Sequence, residues 1–275
     1  MLVAKEIEAA RSAAAGLPRP LGFVPTMGAL HAGHLRLIEL SRARCAATVV
    51  SSFVNPAQFA PGEDLERYPR DPVGDREKLE RSKADLVFAP RGETMYPPDF
   101  STFVDVGDIG TRYEGSARPT HFRGVATVVT KLLHITAPNV LFLGQKDAQQ
   151  MAVLRKLVRD LDFEVRIELG ATVRESDGLA LSSRNAYLSA QERAAAPSLH
   201  EALQAMLAAL RNGAQISVAR QAAQQALRAP GIWEYIDLVD SESFLPLAEF
   251  RRPAFIVGAA RFGTTRLIDN LMVVA

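Results

Sequence analysis

The chain has 275 residues, 48% of them hydrophobic, which suits one large domain or two modest ones. Its 32 Lys and Arg residues nearly balance its 31 Asp and Glu residues, so the composition provides no strong field for holding DNA or RNA through phosphates. The single cysteine and the lack of an 18-residue apolar run exclude a disulfide framework and a membrane span, so we expect a soluble protein of the reducing cytoplasm.

The first 170 residues alternate apolar runs with amphipathic segments. A short N-terminal helix ended by Gly16 and Pro18 is predicted first. Apolar runs then predict strands at 20–26, 47–55, 84–90, 139–144 and 163–169, and helical spacing predicts helices at 34–46, 71–83, 124–136 and 148–161. Cys45, at the end of the second helix, is expected to be a buried structural thiol. Strands that alternate with helices indicate a parallel sheet covered on both faces.

After residue 172 the pattern changes to a polar loop, then helices, then adjacent strands. Ser189 and Glu192 form a capping box that predicts the start of one long Ala-rich helix. A second helix is predicted at 217–229 and strands at 233–240, 253–262 and 264–273. Helices followed by adjacent strands indicate a smaller α+β domain, so we expect two domains, residues 1–174 and residues 175–275.

Two histidines stand where the first long strand gives way to a helix, in "FVPTMGALHAGHLRLIEL", residues 23–40. Ligands of doubly wound sheets bind at the carboxyl ends of strands, and a helix N-terminus attracts anions. His31 and His34 share a face if their turn is helical, and Gly28 and Gly33 allow close approach of a ligand to the backbone. The segment therefore predicts a phosphate site, although spacing alone also allows a surface pair without chemistry. A zinc pair is disfavoured because no third ligand follows in an H-E-x-x-H pattern.

Six motifs carry a family resemblance: "PTMGALHAGH", "FVNPAQF", "RYPRD", "HFRGVATVVTKL", "GQKDAQQ" and "LSSRNAYLS". In this order they resemble the pantothenate synthetase family of the H-x-G-H nucleotidyltransferase superfamily. The resemblance covers roughly residues 20–190 and continues weakly through "YIDLVD" and "RLIDN".

The resemblance implies an α/β fold, a Rossmann-like doubly wound parallel sheet with a smaller C-terminal α+β lid. It also implies an ATP-dependent ligase that joins pantoate to β-alanine through a pantoyl adenylate, releasing AMP and pyrophosphate. ATP would act as a substrate, accompanied by Mg²⁺. The protein would be a homodimer, and it would bind neither nucleic acid nor a membrane.

The same resemblance assigns site residues. The catalytic side chains would be His31, His34, Lys146 and Arg184, with His34 as proton donor. The ATP-binding positions would be Met27, Gly28, Ala29, Leu30, His31, Ala32, Gly33, His34, Gly144, Gln145, Lys146, Asp147, Val173, Leu181, Ser182, Ser183 and Arg184. Gln58, Gln150 and Met27 would bind the substrates, with Phe59 beside the gem-dimethyl group and with Tyr68 and Arg123 ordering the site. Asp75 is expected to be an ordinary helix-surface carboxylate, with a contact to magnesium or its water shell as the alternative that the resemblance implies.

The chain departs from the family pattern at four positions. Gln145 replaces a usual Glu, Ala148 an aromatic residue, Leu181 a Met and Ala186 a Gly, and none of these changes removes a group that the reaction needs.

Three alternatives remain at this stage. Another nucleotidyltransferase would need extra basic residues for a phosphorylated substrate. A tRNA synthetase-like protein would need an anticodon-binding extension, and a non-catalytic nucleotide-binding protein would be expected to lack one of the four catalytic side chains.

Overall fold

The computed structural model describes residues 1–274, which form two compact units. The first unit comprises Met1–Gly144 with Val153–Gly170, and the second comprises Gln145–Ala152 with the chain from Ala171 to its described end. Nucleotide binding by residues 1–174 and a lid role for residues 175–275 stay predictions.

The first unit is a Rossmann-like parallel sheet with helices, as predicted, and the sheet has six strands rather than the five predicted. Its elements are β1 Leu2–Ala4, α1 Ile7–Ala15, β2 Leu21–Thr26, α2 Ala32–Arg44, β3 Ala47–Ser52, α3 Pro72–Arg81, β4 Leu86–Phe88, α4 Gly92–Met95, α5 Glu114–Ala117, α6 His121–Thr136, β5 Val140–Gly144, α7 Ala148–Asp160 and β6 Arg166–Gly170. Helix α7 begins in the segment that belongs to the second unit. The strand order is β1-β4-β3-β2-β5-β6, and every neighbouring pair is parallel.

Strand β2 is the point at which the strand order reverses, because the chain continues to β3 on one side of it and returns to β5 on the other. The carboxyl ends of β2 and β5 are therefore neighbouring positions where an open α/β sheet binds ligands. Strand β2 leads into the loop that carries the two histidines, and strand β5 ends at Gly144.

The core of the first unit consists of apolar strand residues covered by helices. Phe23 and Val24 of β2 and Phe142 of β5 are at most 1% exposed, as expected for a sheet with both faces covered. Cys45 is half-buried rather than fully buried, and burial raises the pKa of its thiol. The neutral thiol packs beside the core as a small apolar group.

The second unit is an α+β layer with three antiparallel strands, as predicted. Its elements are α8 Ala190–Ala195, α9 Ser198–Arg211, α10 Ile216–Ala226, β7 Gly231–Asp240, β8 Ala254–Phe262 and β9 Thr265–Val273. The strand order is β7-β8-β9. Leu203 and Met206 of α9 and Leu238 and Ile256 of the sheet are completely buried between the helices and the strands.

Two sequence predictions are wrong in detail. Leu2–Ala4 forms a strand that pairs with β4 at the sheet edge, whereas the sequence predicted only a helix there. The long Ala-rich helix is two helices: the Ser189–Glu192 capping box is present, but α8 ends at Ala195 and α9 begins after Pro197. The proline explains the break, because its ring displaces a helical hydrogen bond. Within residues 1–274, no helix combines the length and apolar character needed to span a membrane.

Candidate active site

The loop after β2 is held by one buried carboxylate of α3. The backbone N–H groups of Ala29 and Leu30 donate to Asp75 Oδ2 and Oδ1, each at 2.7 Å. Gly28 and Ala29 have positive φ angles of 79° and 49°, and a Cβ on Gly28 would lie 3.1 Å from Asp75 Oδ2. Asp75 is 5% exposed, so the expectation of a helix-surface carboxylate is wrong. Its side chain instead accepts the N–H groups of a tight buried turn.

The assignment of Asp75 to magnesium stays a prediction. Each of its oxygens accepts a backbone hydrogen bond, and Lys78 Nζ lies 3.9 Å from Oδ1. A metal ion bound directly here would face a nearby positive charge. In the part of the chain that the structure describes, no group of three or more His, Cys, Asp or Glu side chains is arranged to hold a metal ion.

Both histidines of the H-x-G-H segment cap α2. His31 is the N-cap residue, its Nδ1 accepts the Gly33 N–H at 3.1 Å, and His34 Nδ1 accepts the His31 N–H at 3.4 Å. The rings stack with their centroids 4.1 Å apart. Because each Nδ1 accepts a hydrogen bond, each neutral ring carries its proton on Nε2. The capping box thus makes both imidazoles Nε2–H donors at the positive end of a helix, which suits an anion.

The side-chain amide of Gln58 has a fixed orientation. Asn55 Nδ2 donates to Gln58 Oε1 and to the Gly124 carbonyl, both at 3.1 Å. Asn55 Oδ1 accepts the Tyr96 hydroxyl at 2.8 Å, so the Asn55 amide cannot be reversed without losing these bonds. Gln58 Nε2 lies 2.9 Å from Met27 Sδ. Gln58 therefore presents N–H donors, rather than its carbonyl, beside Met27.

The backbone carbonyl of Gln58 accepts hydrogen bonds from two more side chains. His121 Nδ1 lies 3.0 Å and Arg118 Nη2 lies 3.1 Å from this oxygen, and Arg118 also pairs with Glu63 at 2.6 Å. Burial, assisted by the positive charge of Arg118, lowers the pKa of His121 to about 4. The neutral ring donates from Nδ1 to Gln58 and faces Arg118 Nη1 with Nε2 at 3.3 Å.

Close packing of α6 against the turn of Gln58 explains the glycine in "HFRG". A Cβ on Gly124 would lie 2.1 Å from the Ala57 carbonyl oxygen. A cavity of about 470 Å³ borders this contact, with aromatic side chains along its wall. Arg123 lines this cavity and lies over the Phe103 ring at 4.1 Å from its centroid. Its role in ordering the site stays a prediction.

Lys146 belongs to a three-residue 3₁₀ turn of the second unit. Its Nζ lies 3.5 Å from Asp147 Oδ1, and its side chain is 21% exposed. Asn270 of β9 holds the turn by donating from Nδ2 to the carbonyl oxygens of Gln145 at 2.9 Å and of Lys146 at 2.8 Å.

The "SSR" segment is also a capped 3₁₀ turn of the second unit. Ser182 is the N-cap residue, and its hydroxyl accepts the Arg184 N–H at 3.3 Å. The preceding Leu181 N–H donates to the Val173 carbonyl at 3.0 Å. The two positions assigned to adenine are thus paired through their backbones.

The assigned residues are divided between the two units of the structure. The first unit holds residues 27–34, Gln58, Asp75 and Gly144, together with Phe59 and Tyr68, which are buried edge to face with centroids 5.8 Å apart. The second unit holds Gln145, Lys146, Asp147, Gln150, Val173, Leu181, Ser182, Ser183 and Arg184. Their roles stay predictions.

Sequence reasoning missed Asn55, His121 and Asn270 as supporting residues. All three stand inside motifs that the sequence displays, "FVNPAQF", "HFRG" and "RLIDN". Asn before Pro is a local signal for a capped turn, whereas no local signal marks the other two residues.

Comparisons with known proteins agree over the whole chain. The model of the family described as pantoate-beta-alanine ligase matches residues 2–272. Pantothenate synthetase of Rhizorhabdus wittichii is 49% identical over 256 residues, which cover 92% of this chain and 91% of that protein. The crystal structure of pantothenate synthetase from Thermus thermophilus has a TM-score of 0.95 and 46% identity, with 100% of both chains covered. That of pantoate-beta-alanine ligase from Francisella tularensis, complexed with "Beta-gamma ATP" and β-alanine, has a TM-score of 0.81 and 32% identity, covering 99% of this chain and 97% of that one.

The first prediction concerns Asp75→Asn. One acceptor oxygen becomes an NH₂ group facing a backbone N–H, so we expect the free energy of unfolding to fall by about 1–3 kcal/mol. Urea unfolding at pH 7 measures it. Glu77→Gln is the matched control, because it removes only the exposed pair with Arg81. Equal stability of Asp75→Asn and the parent would contradict the role given to this carboxylate.

The second prediction concerns His121 and pH. The folded-state pKa of about 4 lies below that of the unfolded chain, near 6.5. Between these values the unfolded chain gains a proton that the folded chain does not, so stability falls as the pH falls. His121→Asn keeps a donor but does not titrate. From pH 6.5 to 4, we expect the free energy of unfolding of the parent to fall by up to roughly 3 kcal/mol more than that of this variant.

Urea unfolding at half-unit pH steps measures the free energy of unfolding of both proteins. Carboxylates titrate in both, so the difference between the two curves reports on His121. Parallel stability curves across this window would show that His121 is not held neutral by the fold.

Proposed function

The chain belongs to the pantoate-β-alanine ligase family, and from that premise we propose that it makes pantothenate through a pantoyl adenylate, with ATP as co-substrate. A carboxylate oxygen of pantoate attacks the α-phosphorus of ATP, and the bond to the bridging oxygen breaks, releasing pyrophosphate. The amine of β-alanine then attacks the acyl carbon. A C–N bond forms, the bond to AMP breaks, and the amine loses a proton.

The histidine cap is the observation that carries the proposal. The first step brings two anions together, so catalysis consists mostly of positioning and charge stabilisation. The Nε2–H groups that the capping box assigns to His31 and His34 bind phosphoryl oxygens of ATP, beside the N–H groups of α2. His34, the proton donor that the resemblance implies, shares its Nε2 proton with a phosphoryl oxygen in a hydrogen bond and keeps it, because the step as written consumes no proton.

Cations of the second unit act on the phosphates that leave. The Lys146 ammonium bridges phosphate oxygens, and Arg184 offers a planar set of donors to pyrophosphate. Ser182 and Ser183 add hydroxyl groups. Asn270 holds the turn of Lys146 and the Ser182 hydroxyl caps the turn of Arg184, which supports their assignment to one anionic ligand.

Amides and apolar groups bind pantoate, which carries a carboxylate and two hydroxyls. The fixed amide of Gln58 donates from Nε2 to an oxygen of pantoate, and Met27 beside it covers the gem-dimethyl group with Phe59. Gln150, half-buried at the start of α7, supplies the second amide. Neutral amides bind hydroxyls without a second buried charge, which favours pantoate over a phosphorylated substrate.

Backbone atoms hold the adenosine part of ATP. Gly144 ends β5, and a Cβ there would meet no described atom within 4 Å, so the backbone is open to a ligand. Residues 28–33, Gln145 and Asp147, with Val173 and Leu181, complete this subsite. ATP would enter as its magnesium complex, in which the ion would screen phosphate charge. The ligand of the Francisella tularensis structure supports ATP and β-alanine as substrates.

The proposal also includes a cytoplasmic homodimer, as the family resemblance implies. Its substrates are pantoate, β-alanine and ATP.

The third prediction tests the adenylate. With pantoate and ATP but no β-alanine, the protein should exchange labelled pyrophosphate into ATP, because formation of pantoyl adenylate is reversible. A panel of related carboxylic acids serves as control. Exchange with another acid but not with pantoate would reassign the substrate, and no exchange with any acid would remove the adenylate from the mechanism.

The fourth prediction assigns the side chains. His34→Ala, Lys146→Ala and Arg184→Ala should each lower the exchange rate by about a hundredfold or more, since each removes a contact to transition-state charge. Lys156→Ala, which removes a lysine paired with Asp160 on α7, is the matched control and should exchange like the parent. Near-parental rates in all three variants would show that the phosphates bind elsewhere.

A further inference from the structure

Asn270 forms three hydrogen bonds with the turn that carries Lys146. Its Nδ2 donates to the carbonyl oxygens of Gln145 and Lys146 at 2.9 and 2.8 Å, and its Oδ1 accepts from Gln145 Nε2 at 3.3 Å. Both Nδ2 hydrogens and the Oδ1 oxygen are used, which fixes the orientation of the amide. Asn270 is 1% exposed. A short 3₁₀ turn cannot satisfy its own carbonyl groups, so this side chain supplies donors that the backbone lacks.

Asn270 is itself anchored by a buried charged cluster. The Asn270 N–H donates to Asp269 Oδ1 at 2.7 Å, and the Arg174 guanidinium binds both Asp269 oxygens at 2.6 and 2.9 Å. His200 Nδ1 lies 3.3 Å from Asp269 Oδ2. Burial raises the pKa of Asp269, but hydrogen bonds from His200 and Arg174 outweigh it and hold that pKa below its ordinary value. The Asp269 carboxylate is therefore charged, and it holds the Asn270 backbone in place.

The same cluster connects the turn of Lys146 with the segment that leads to Arg184. Arg174 also donates from Nη1 to the Gly178 carbonyl at 3.1 Å and forms a β-bridge with Ala180, just before the "LSSRN" segment. All of these residues belong to the second unit. The turn that carries Lys146 and the segment that precedes Arg184 are thus both held by the cluster around Asp269.

We propose that Asn270 is a positioning residue for the adenylation step, which holds the Lys146 backbone so that its ammonium meets the phosphates. The inference rests on the proposed function, because it takes Lys146 as a phosphate ligand. The Asn270 side chain hydrogen-bonds to the backbone of this turn and to the Gln145 side chain, so its proposed action is through Lys146 rather than directly on substrate.

The fifth prediction uses Asn270→Asp. The variant has nearly the same shape, but an acceptor oxygen replaces the NH₂ group facing two carbonyl oxygens, which repels the turn. We expect the maximal rate of pantoate-dependent pyrophosphate exchange to fall by about a hundredfold, as for small misplacements of catalytic groups. The KM for pantoate should stay within about twofold, because the lost positioning affects the transition state and not the binding of pantoate. Gln150 lies in the same segment, Gln145–Ala152, so an unfolded segment would instead raise this KM.

Asn212→Asp is the matched control. It makes the same amide-to-acid change at an exposed helix end of the same unit, and we expect parental exchange. If Asn270→Asp does not fold, Asn270→Ala replaces it, because that variant removes the donors without adding a charge.

A double-mutant cycle separates positioning from general stability. If Asn270 acts through Lys146, then Asn270→Ala should cause no further loss of exchange in a Lys146→Ala background. Multiplied losses would mean that Asn270 only stabilises the fold and would overturn the inference. A parental rate in Asn270→Asp would overturn it as well. If the parent itself shows no exchange with pantoate, the proposed function fails first and the inference with it.

Discussion

The placement of both histidines depends on the Asp75 carboxylate, which accepts the backbone N–H groups of Ala29 and Leu30. Ala29 has a φ of 49°, in a region that costs an L-residue about 1–2 kcal/mol. The two hydrogen bonds offset this cost inside a buried turn, and the chain leaves the turn directly into His31, the N-cap of α2. The backbone N–H groups of Gly33 and His31 then fix the tautomers of His31 and His34, respectively. The placement of His31 and His34 thus depends on a carboxylate of a different helix, α3.

The same arrangement recurs for the other proposed site residues. Gln58 and Lys146 each lie on a short turn after a strand, and such turns leave backbone groups without partners. Asn55 fixes the amide of Gln58, and Asn270 fixes the backbone of Lys146. A buried polar side chain therefore supports the histidine loop, Gln58 and Lys146. This explains how a chain with ordinary loops presents rigid donors, which transition-state stabilisation requires.

Much of the fold could be predicted from sequence, because parallel strands buried on both faces appear as apolar runs. The strand at Leu2–Ala4 escaped prediction, since three residues carry no periodicity, and the break at Pro197 was masked by strong Ala-rich helix propensity. The supporting residues could not be predicted for a different reason. Ala29 and Asp75 are 46 residues apart, and Gln145 and Asn270 are 125 apart, so only the folded chain reveals these pairs.

The most direct test is a crystal structure of this protein with a non-hydrolysable ATP analogue and pantoate. The account predicts that His31 and His34 Nε2, Lys146 Nζ and the Arg184 guanidinium lie within about 3.2 Å of phosphate oxygens. It also predicts that the Ala29 and Leu30 N–H groups remain on Asp75. A triphosphate bound away from these four side chains, or a loop released from Asp75 in the complex, would contradict the account.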